Sequence, residues 1–305
     1  MDTKVTHLAA ELQHLGLLSC TGDDARTFLQ AQLTNGIEDL AEGEARRAGW
    51  CSAKGRLLAL FLVVPQQGGL LLQVSRDIAP AIAKRLSMFV LRAKAKVADV
   101  SDAWVQYGLW GETAETRLGQ LGLTVPQEEL KATHAQGISV VRVGAQRFLV
   151  LAPAAQRGRF SSLALEQGEA SWALQEIRSG LPQVVQATQE EFVPQMVNLE
   201  RLGAVDFKKG CYPGQEIVAR TQYRGVLKRR MTRARVFAPA AAGDDLYADE
   251  FAGQASGKVV AAAAVPGGGS ELLAVVQISA LEGGQPIRLR APDGPHLELL
   301  PLPYA

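Results

Sequence analysis

The chain has 305 residues, of which 47% are hydrophobic and 21% charged, and its formal net charge is +1. A chain of that length buries large cores without disulfides or structural metals, and about two domains are expected. The composition excludes a disordered or fibrous protein, and the near-zero net charge excludes one that is basic as a whole.

Residues Met1–Leu18 lack the basic start, apolar core and small-residue cleavage site of a secretory signal. No run of about 18 apolar residues follows, so a cytoplasmic protein that does not enter a membrane is expected. Thr21-Gly22-Asp23-Asp24 reads as a helix start, with Ala25, Phe28, Leu29 and Leu33 on one face and Asn35-Gly36 as its end. Residues 46–52, 56–64 and 70–75 read as strands, the first two joined by Ala53-Lys54-Gly55. A helix is predicted over 78–94, with Ile82, Leu86, Phe89 and Val90 as its buried stripe. Extended segments at 97–100 and 104–110, a helix at 112–121, a hairpin of 138–143 with 148–151, and a helix at 154–167 come next. Locally paired strands with helices between them imply α+β architecture with antiparallel sheets. No GxGxxG or GxxxxGK[ST] occurs, which leaves dinucleotide and P-loop readings without support. Beyond about Arg224, short extended runs (231–237, 257–265, 272–279, 287–290 and 297–300) alternate with Gly, Pro and Ala. Such spacing favours a small all-β barrel or sandwich, with a boundary near residue 225.

Charge is distributed unevenly. Between Arg201 and Arg235, ten Lys or Arg face only Asp206 and Glu216. The pattern fits a basic surface for an anion, or equally a solvated strand pair balanced by acids elsewhere. The three cysteines, Cys20, Cys51 and Cys211, are widely spaced without a CxxC, and the four histidines are scattered, so no disulfide framework and no metal site is expected. Cys211 differs from the other two. Lys208 and Lys209 precede it, Arg220 and Arg224 follow, and Gly210 and Gly214 bracket the Cys-Tyr-Pro triplet. Neighbouring cations and a helix N-terminus favour thiolate, the reactive form of the side chain. A helix starting at Gly214 would supply that terminus. The competing reading is a cysteine packed inward behind Tyr212 as a small hydrophobe.

Lys209-Gly210-Cys211-Tyr212-Pro213-Gly214-Gln215-Glu216 resembles the K-G-C-Y-x-G-Q-E signature of YgfZ-type proteins. The flanks Pro194-Gln195, Asn198-Leu199, Phe207-Lys208, Val218-Ala219-Arg220, Gly225 and Lys228-Arg229 match as well. So do Asp24-Ala25, Phe28-Leu29, Gln32-Leu33-Thr34-Asn35 and Ser52-Ala53-Lys54-Gly55-Arg56 upstream. The family is related to the T protein of the glycine cleavage system, a folate-dependent aminomethyltransferase. The resemblance implies two intertwined ferredoxin-like α+β portions around a central channel (residues 1–225) and a small C-terminal β-barrel (226–305). It implies a tetrahydrofolate or related folate as cofactor and iron–sulfur client enzymes as partners, and through them tRNA modification. Cys211 falls on the residue the family depends on. Candidate folate contacts are Lys208, Lys209, Tyr212, Gln215, Glu216, Arg220, Arg224 and Arg178.

One departure bears on chemistry. The transferase carries a glutamate for the pterin in a segment of the form R-L-E-A-G. The matching run here is Glu176-Ile177-Arg178-Ser179-Gly180. A carboxylate accepts the pterin N–H bonds, whereas a guanidinium only donates. Strict aminomethyl transfer is thereby disfavoured. Three readings remain: a folate-assisted factor for iron–sulfur enzymes working through Cys211, a one-carbon transferase, and a tRNA- or protein-binding module without chemistry. For RNA, only Tyr212 and Tyr223 offer rings among the cations, so weak tRNA binding is expected.

Overall fold

The computed structural model describes residues 8–163 and 168–304. In chain order it contains β1 (Leu8–Glu11), β2 (Leu15–Thr21), α1 (Ala25–Gln30), β3 (Arg46–Cys51), β4 (Leu57–Gln66), β5 (Gly69–Ser75), α2 (Ala79–Ser87), β6 (Lys96–Asp99), β7 (Trp104–Trp110), α3 (Ala114–Gln120), β8 (Ala132–Ala135), β9 (Ile138–Gly144) and β10 (Arg147–Pro153). Then follow α4 (Gly168–Arg178), α5 (Gln215–Tyr223), β11 (Arg229–Val236), β12 (Asp245–Ala248), β13 (Ala255–Ala264), β14 (Ser270–Gln277), α6 (Ile278–Glu282), β15 (Ile287–Leu289) and β16 (Glu298–Leu300). The chain divides into two compact units: one runs through Ala48 and resumes over Phe61–Glu169, and the other takes Gly49–Leu60 and the chain from Ala170 onward. No helix among the described residues is long and apolar enough to cross a membrane.

In the first unit, β1-β7-β10-β9-β8 form an antiparallel sheet. Period-two alternation sends Val105, Tyr107 and Leu109 of β7, Ile138 and Val140 of β9, and Phe148, Val150 and Ala152 of β10 into one cluster with Leu118 and Phe160. A second five-stranded sheet has the order β3-β4-β5-β2-β6. In the second unit, β15-β12-β13-β14-β11-β16 form a six-stranded sheet whose named pairs are antiparallel. Ala234, Val236, Leu246, Val259, Leu272, Ala274, Ile287 and Leu289 pack into one core. The amides of Leu289 and Leu297 donate to the carbonyls of Pro295 and Ile287, so β15 also bonds to the segment leading into β16.

The expected mixed α and β architecture is present, with several local differences. The first helix ends at Gln30 rather than at Asn35-Gly36. The Gln30 carboxamide oxygen accepts from the amides of Ile37 and Glu38, and Asn35 Nδ2 donates to the Arg47 carbonyl, so these side chains fold the chain back. Asp24 does not cap it; its carboxylate accepts from the Lys94 amide instead. Helix α2 stops at Ser87, whose hydroxyl donates to the carbonyls of Ala83 and Val97. The amides of Met88, Phe89 and Val90 then bond back three residues, not four, and Phe89 lies 46% exposed instead of buried. Residues 154–160 form a 3₁₀ helix, and Ala164–Gln167 of the helix expected there lie outside the described residues. Ser279, read as the end of a strand, belongs to α6.

Candidate functional site

The signature octapeptide sits between a 3₁₀ helix at Pro194–Val197 and β11. Asn198 ties these together. It adopts a left-handed backbone (φ 60°), its Nδ2 donates to the Met231 carbonyl at 3.1 Å, and its Oδ1 accepts from Arg230 at 2.8 Å. Arg230 also donates to Glu200 at 2.8 Å. Gln195, buried, donates to the Val218 carbonyl at 2.7 Å and so holds α5 against the same 3₁₀ helix.

Gly214 caps α5 with φ +77°. A Cβ there would lie 2.4 Å from the Ser52 carbonyl oxygen and 2.6 Å from Gly55 Cα. Gly55 is itself left-handed (φ +68°), and a Cβ on it would meet the Ile217 Cβ at 2.8 Å. Two backbones therefore touch where only glycine fits: the β3–β4 turn and the start of α5. That contact fixes the Cys211 loop. Gly210 contributes differently from the sequence expectation, since it has no left-handed φ and open space around it.

Cys211 is exposed, whereas Cys20 and Cys51 are buried, and all three are free thiols. Burial pushes the Cys20 and Cys51 thiols up to about 12. Tyr212 points the other way from its neighbour. It is 7% exposed, and burial, with smaller contributions from Cys51 and Asp206, holds its phenol above the ordinary range. The Lys209 ammonium lies 5.1 Å from the Tyr212 ring centroid. The inward-packed cysteine is thus ruled out in favour of an inward-packed tyrosine.

The other candidates fall out as follows. Lys208 is exposed, and its backbone amide donates to Asp206 at 2.8 Å. The Gln215 amide donates to the Tyr212 carbonyl. Glu216 lies in the first turn of α5 and Arg220 in its last, the polarity a helix dipole favours. Arg220 and Arg224 are exposed. Arg178, the last residue of α4, belongs to different elements. Its Nε and Nη2 donate to the Glu271 carboxylate of β14, at 2.8 Å for the shortest bond, and this partner raises its pKa. Sequence reasoning missed Glu271, and it named Gln195, Asn198 and the Ser52–Gly55 turn only as matching flanks. Glycines at 55 and 214 were the available signal for the close approach. Among the described residues no group of three or more His, Cys, Asp or Glu is placed to hold a metal.

A tRNA-modifying protein YgfZ of Vibrio vulnificus (strain YJ016) is 33% identical over 225 residues, 73% of this chain and 68% of that protein. One from Edwardsiella ictaluri (strain 93-146) is 31% identical over 300 residues, 94% of this chain and 89% of that protein. The chain belongs to the YgfZ family. No family model matches it. Among solved structures, the glycine cleavage system aminomethyltransferase T from Bartonella henselae aligns with a TM-score of 0.75 over 99% of this chain and 87% of that one, at 17% identity. This YgfZ-family chain therefore has the aminomethyltransferase T fold, as expected.

Proposed function

We propose that the protein is a folate-binding factor that supports the assembly or maintenance of iron–sulfur enzymes, and through them tRNA modification, with Cys211 as its working thiol. The observation that carries this reading is the exposed Cys211 on a loop locked by the Gly55–Gly214 contact, within the family's signature. A tRNA link is supported by the name of its relatives, the tRNA-modifying proteins YgfZ. We read the two five-stranded sheets as the paired ferredoxin-like portions within 1–225, and the six-stranded sheet as a barrel over 226–305. The bonds of Leu289 and Leu297 that carry β15 toward β16 support closure. A cytoplasmic location goes with this reading.

The residues present fit one end of a folate. Cations before and within the signature suit its glutamate carboxylates, with exposed Lys208 and half-buried Lys209 adjoining the thiol in sequence. The pterin end differs from the transferase. Arg178 is committed to Glu271 and offers no acceptor to a pterin N–H. A bound reduced folate supplies a carrier for one-carbon groups, but this pair weighs against aminomethyl transfer as the activity. Tyr212 is buried and so unavailable for stacking a base, which also weighs against a dedicated single-strand RNA binder.

The test is complementation of bacteria lacking their own YgfZ-family protein, with an iron–sulfur enzyme activity and thiomethylated tRNA nucleosides as readouts. Wild type restores both, and Cys211→Ser at equal abundance restores neither. Equal rescue by the serine variant would falsify the thiol role. Titration calorimetry with tetrahydrofolate tests the cofactor separately; no heat at high micromolar ligand removes it from the reading.

A further inference from the structure

Helix α5 buries little of itself. Of its nine residues only Val218 is buried. At 100° per residue, Glu216, Arg220 and Tyr223 share a face with Ile217 and Arg224, opposite Val218. Ile217 is 40% exposed, Tyr223 70%, and Val226, three residues beyond the helix, 87%. An isolated helix this short is marginal in water, and packing of an apolar face normally sustains it. Here the Gly214 contact and the Gln195 bond do so instead, which leaves aliphatic and aromatic side chains facing solvent. Scattered exposed hydrophobics need no explanation, but three within ten residues, on a short segment that follows an accessible cysteine and carries several cations, do.

The charge around this face is one-sided. Arg220, Arg224 and Lys228 are exposed and make no ion pair among the described residues. Glu216 is the only acid between Lys208 and Lys228. Nucleic acid would use the cations, but it has little use for Ile217 and Val226, since single-strand binding relies on successive exposed rings. Tyr223 is the exposed ring on the helix face, and Phe207 already meets it edge-on with centroids 6.0 Å apart. Exposed apolar side chains interspersed with cations that make no ion pair among the described residues match a protein segment with apolar side chains set among Asp and Glu.

We propose that the outward face of α5 and the residues just after it, with Ile217, Tyr223 and Val226 as apolar anchors and Arg220, Arg224 and Lys228 interspersed among them, form a docking surface for an acidic, apolar segment of a partner protein. The surface adjoins the Cys211 loop and presents that partner to the thiol. In this arrangement Arg220 and Arg224 serve the protein partner, and the folate carboxylates fall to the lysines ahead of Cys211. The inference rests on the proposed function for the identity of the partner as a client of Cys211, but the surface itself does not depend on thiol chemistry.

The experiment places a photoreactive benzophenone side chain at position 226 of the full-length protein in living cells, with a control at the exposed position 254. The expected result is one or a few discrete protein adducts at 226 that are absent at 254. Mass spectrometry of the crosslinked peptides should place the attachment in Asp- or Glu-rich segments containing Leu, Ile, Val or Phe. Arg220→Glu with Arg224→Glu should lower adduct yield about tenfold, as charge reversal at a complementary surface does. That variant should retain the wild-type melting temperature. Val226→Asp, without the crosslinker, should weaken capture of the identified partner to a similar degree. Cys211→Ser should leave the adducts in place while abolishing rescue in the complementation assay, which separates failure of the docking surface from failure of the thiol role. The proposal is overturned by adducts sensitive to ribonuclease, by none above the position 254 control, or by adducts to basic or uncharged segments. It is equally overturned if the double charge reversal leaves adduct yield unchanged.

Discussion

Cys51 and Cys211 stand on either side of one junction and have opposite fates. Cys51 ends β3, is 1% exposed, and lies next to Ser52, whose carbonyl abuts Gly214. Cys211 precedes the same glycine from the other chain segment and is exposed. Both are free thiols, so the difference is environment alone. The last four residues of β3, Cys51 among them, are all buried, and there a thiolate would lose its hydration. The Cys211 loop turns Tyr212 inward instead, and the cysteine is left outside. The comparison teaches that accessibility was assigned by which neighbour the backbone sends inward, and not by cysteine chemistry as such.

The sharpest way to break this comparison is alkylation. In folded protein at neutral pH, iodoacetamide should modify Cys211 about a thousandfold or more faster than Cys20 or Cys51, because buried thiols react only through opening of the structure. Peptide mass spectrometry over a time course gives all three rates. If Cys211 lags either of the others, the assignment of inside and outside is wrong.

Next in size is Gly214→Ala. The substitution forces a side chain into a left-handed backbone and against the Ser52 carbonyl and Gly55 at once. A loss of about 3 kcal/mol is expected, or displacement of the loop. Urea denaturation measures the loss, and the Cys211 alkylation rate reports displacement. A fully stable Gly214→Ala protein would show that the two turns do not touch.

The third effect is alkaline. Burial raises Cys51 from an ordinary 9.0 to about 12, so the folded chain keeps a proton that the unfolded chain releases. Stability from this group is complete below pH 9 and falls as pH rises toward 12, by about 2 kcal/mol at pH 10.5. Cys20 contributes in the same direction. Cys51→Ala should flatten the stability profile between pH 9 and 11 relative to wild type. Parallel profiles for the two proteins would contradict the burial of Cys51.

Much of this was legible in the sequence, and the failures have identifiable causes. Alternating runs such as 104–110 and 231–237 read correctly because each strand sends a two-residue repeat into a core. Strand β12 went unread since Asp245-Leu246-Tyr247-Ala248 is only four residues, and its partners β13 and β15 define it. Helix α2 was read too long because Met88, Phe89 and Leu91 continue an apolar pattern past the point where Ser87 ends the hydrogen bonding. At the site, the exposed thiol followed from local composition. The Gly55–Gly214 contact and the Arg178–Glu271 pair did not, because both join residues far apart in the chain and neither leaves a periodic trace.

The contact between Gly55 and Gly214 has a consequence in time. The two residues are separated by about 160 positions. Closing so long a loop costs entropy before any contact repays it, and topologies built on such pairings form slowly. On an emerging polypeptide the hairpin carrying Gly55 is finished early and must wait for the segment around Gly214. The Cys211 loop therefore acquires its shape late, after the strands it leans on, and the nascent protein passes through a stage that is largely folded yet has no organised thiol to offer.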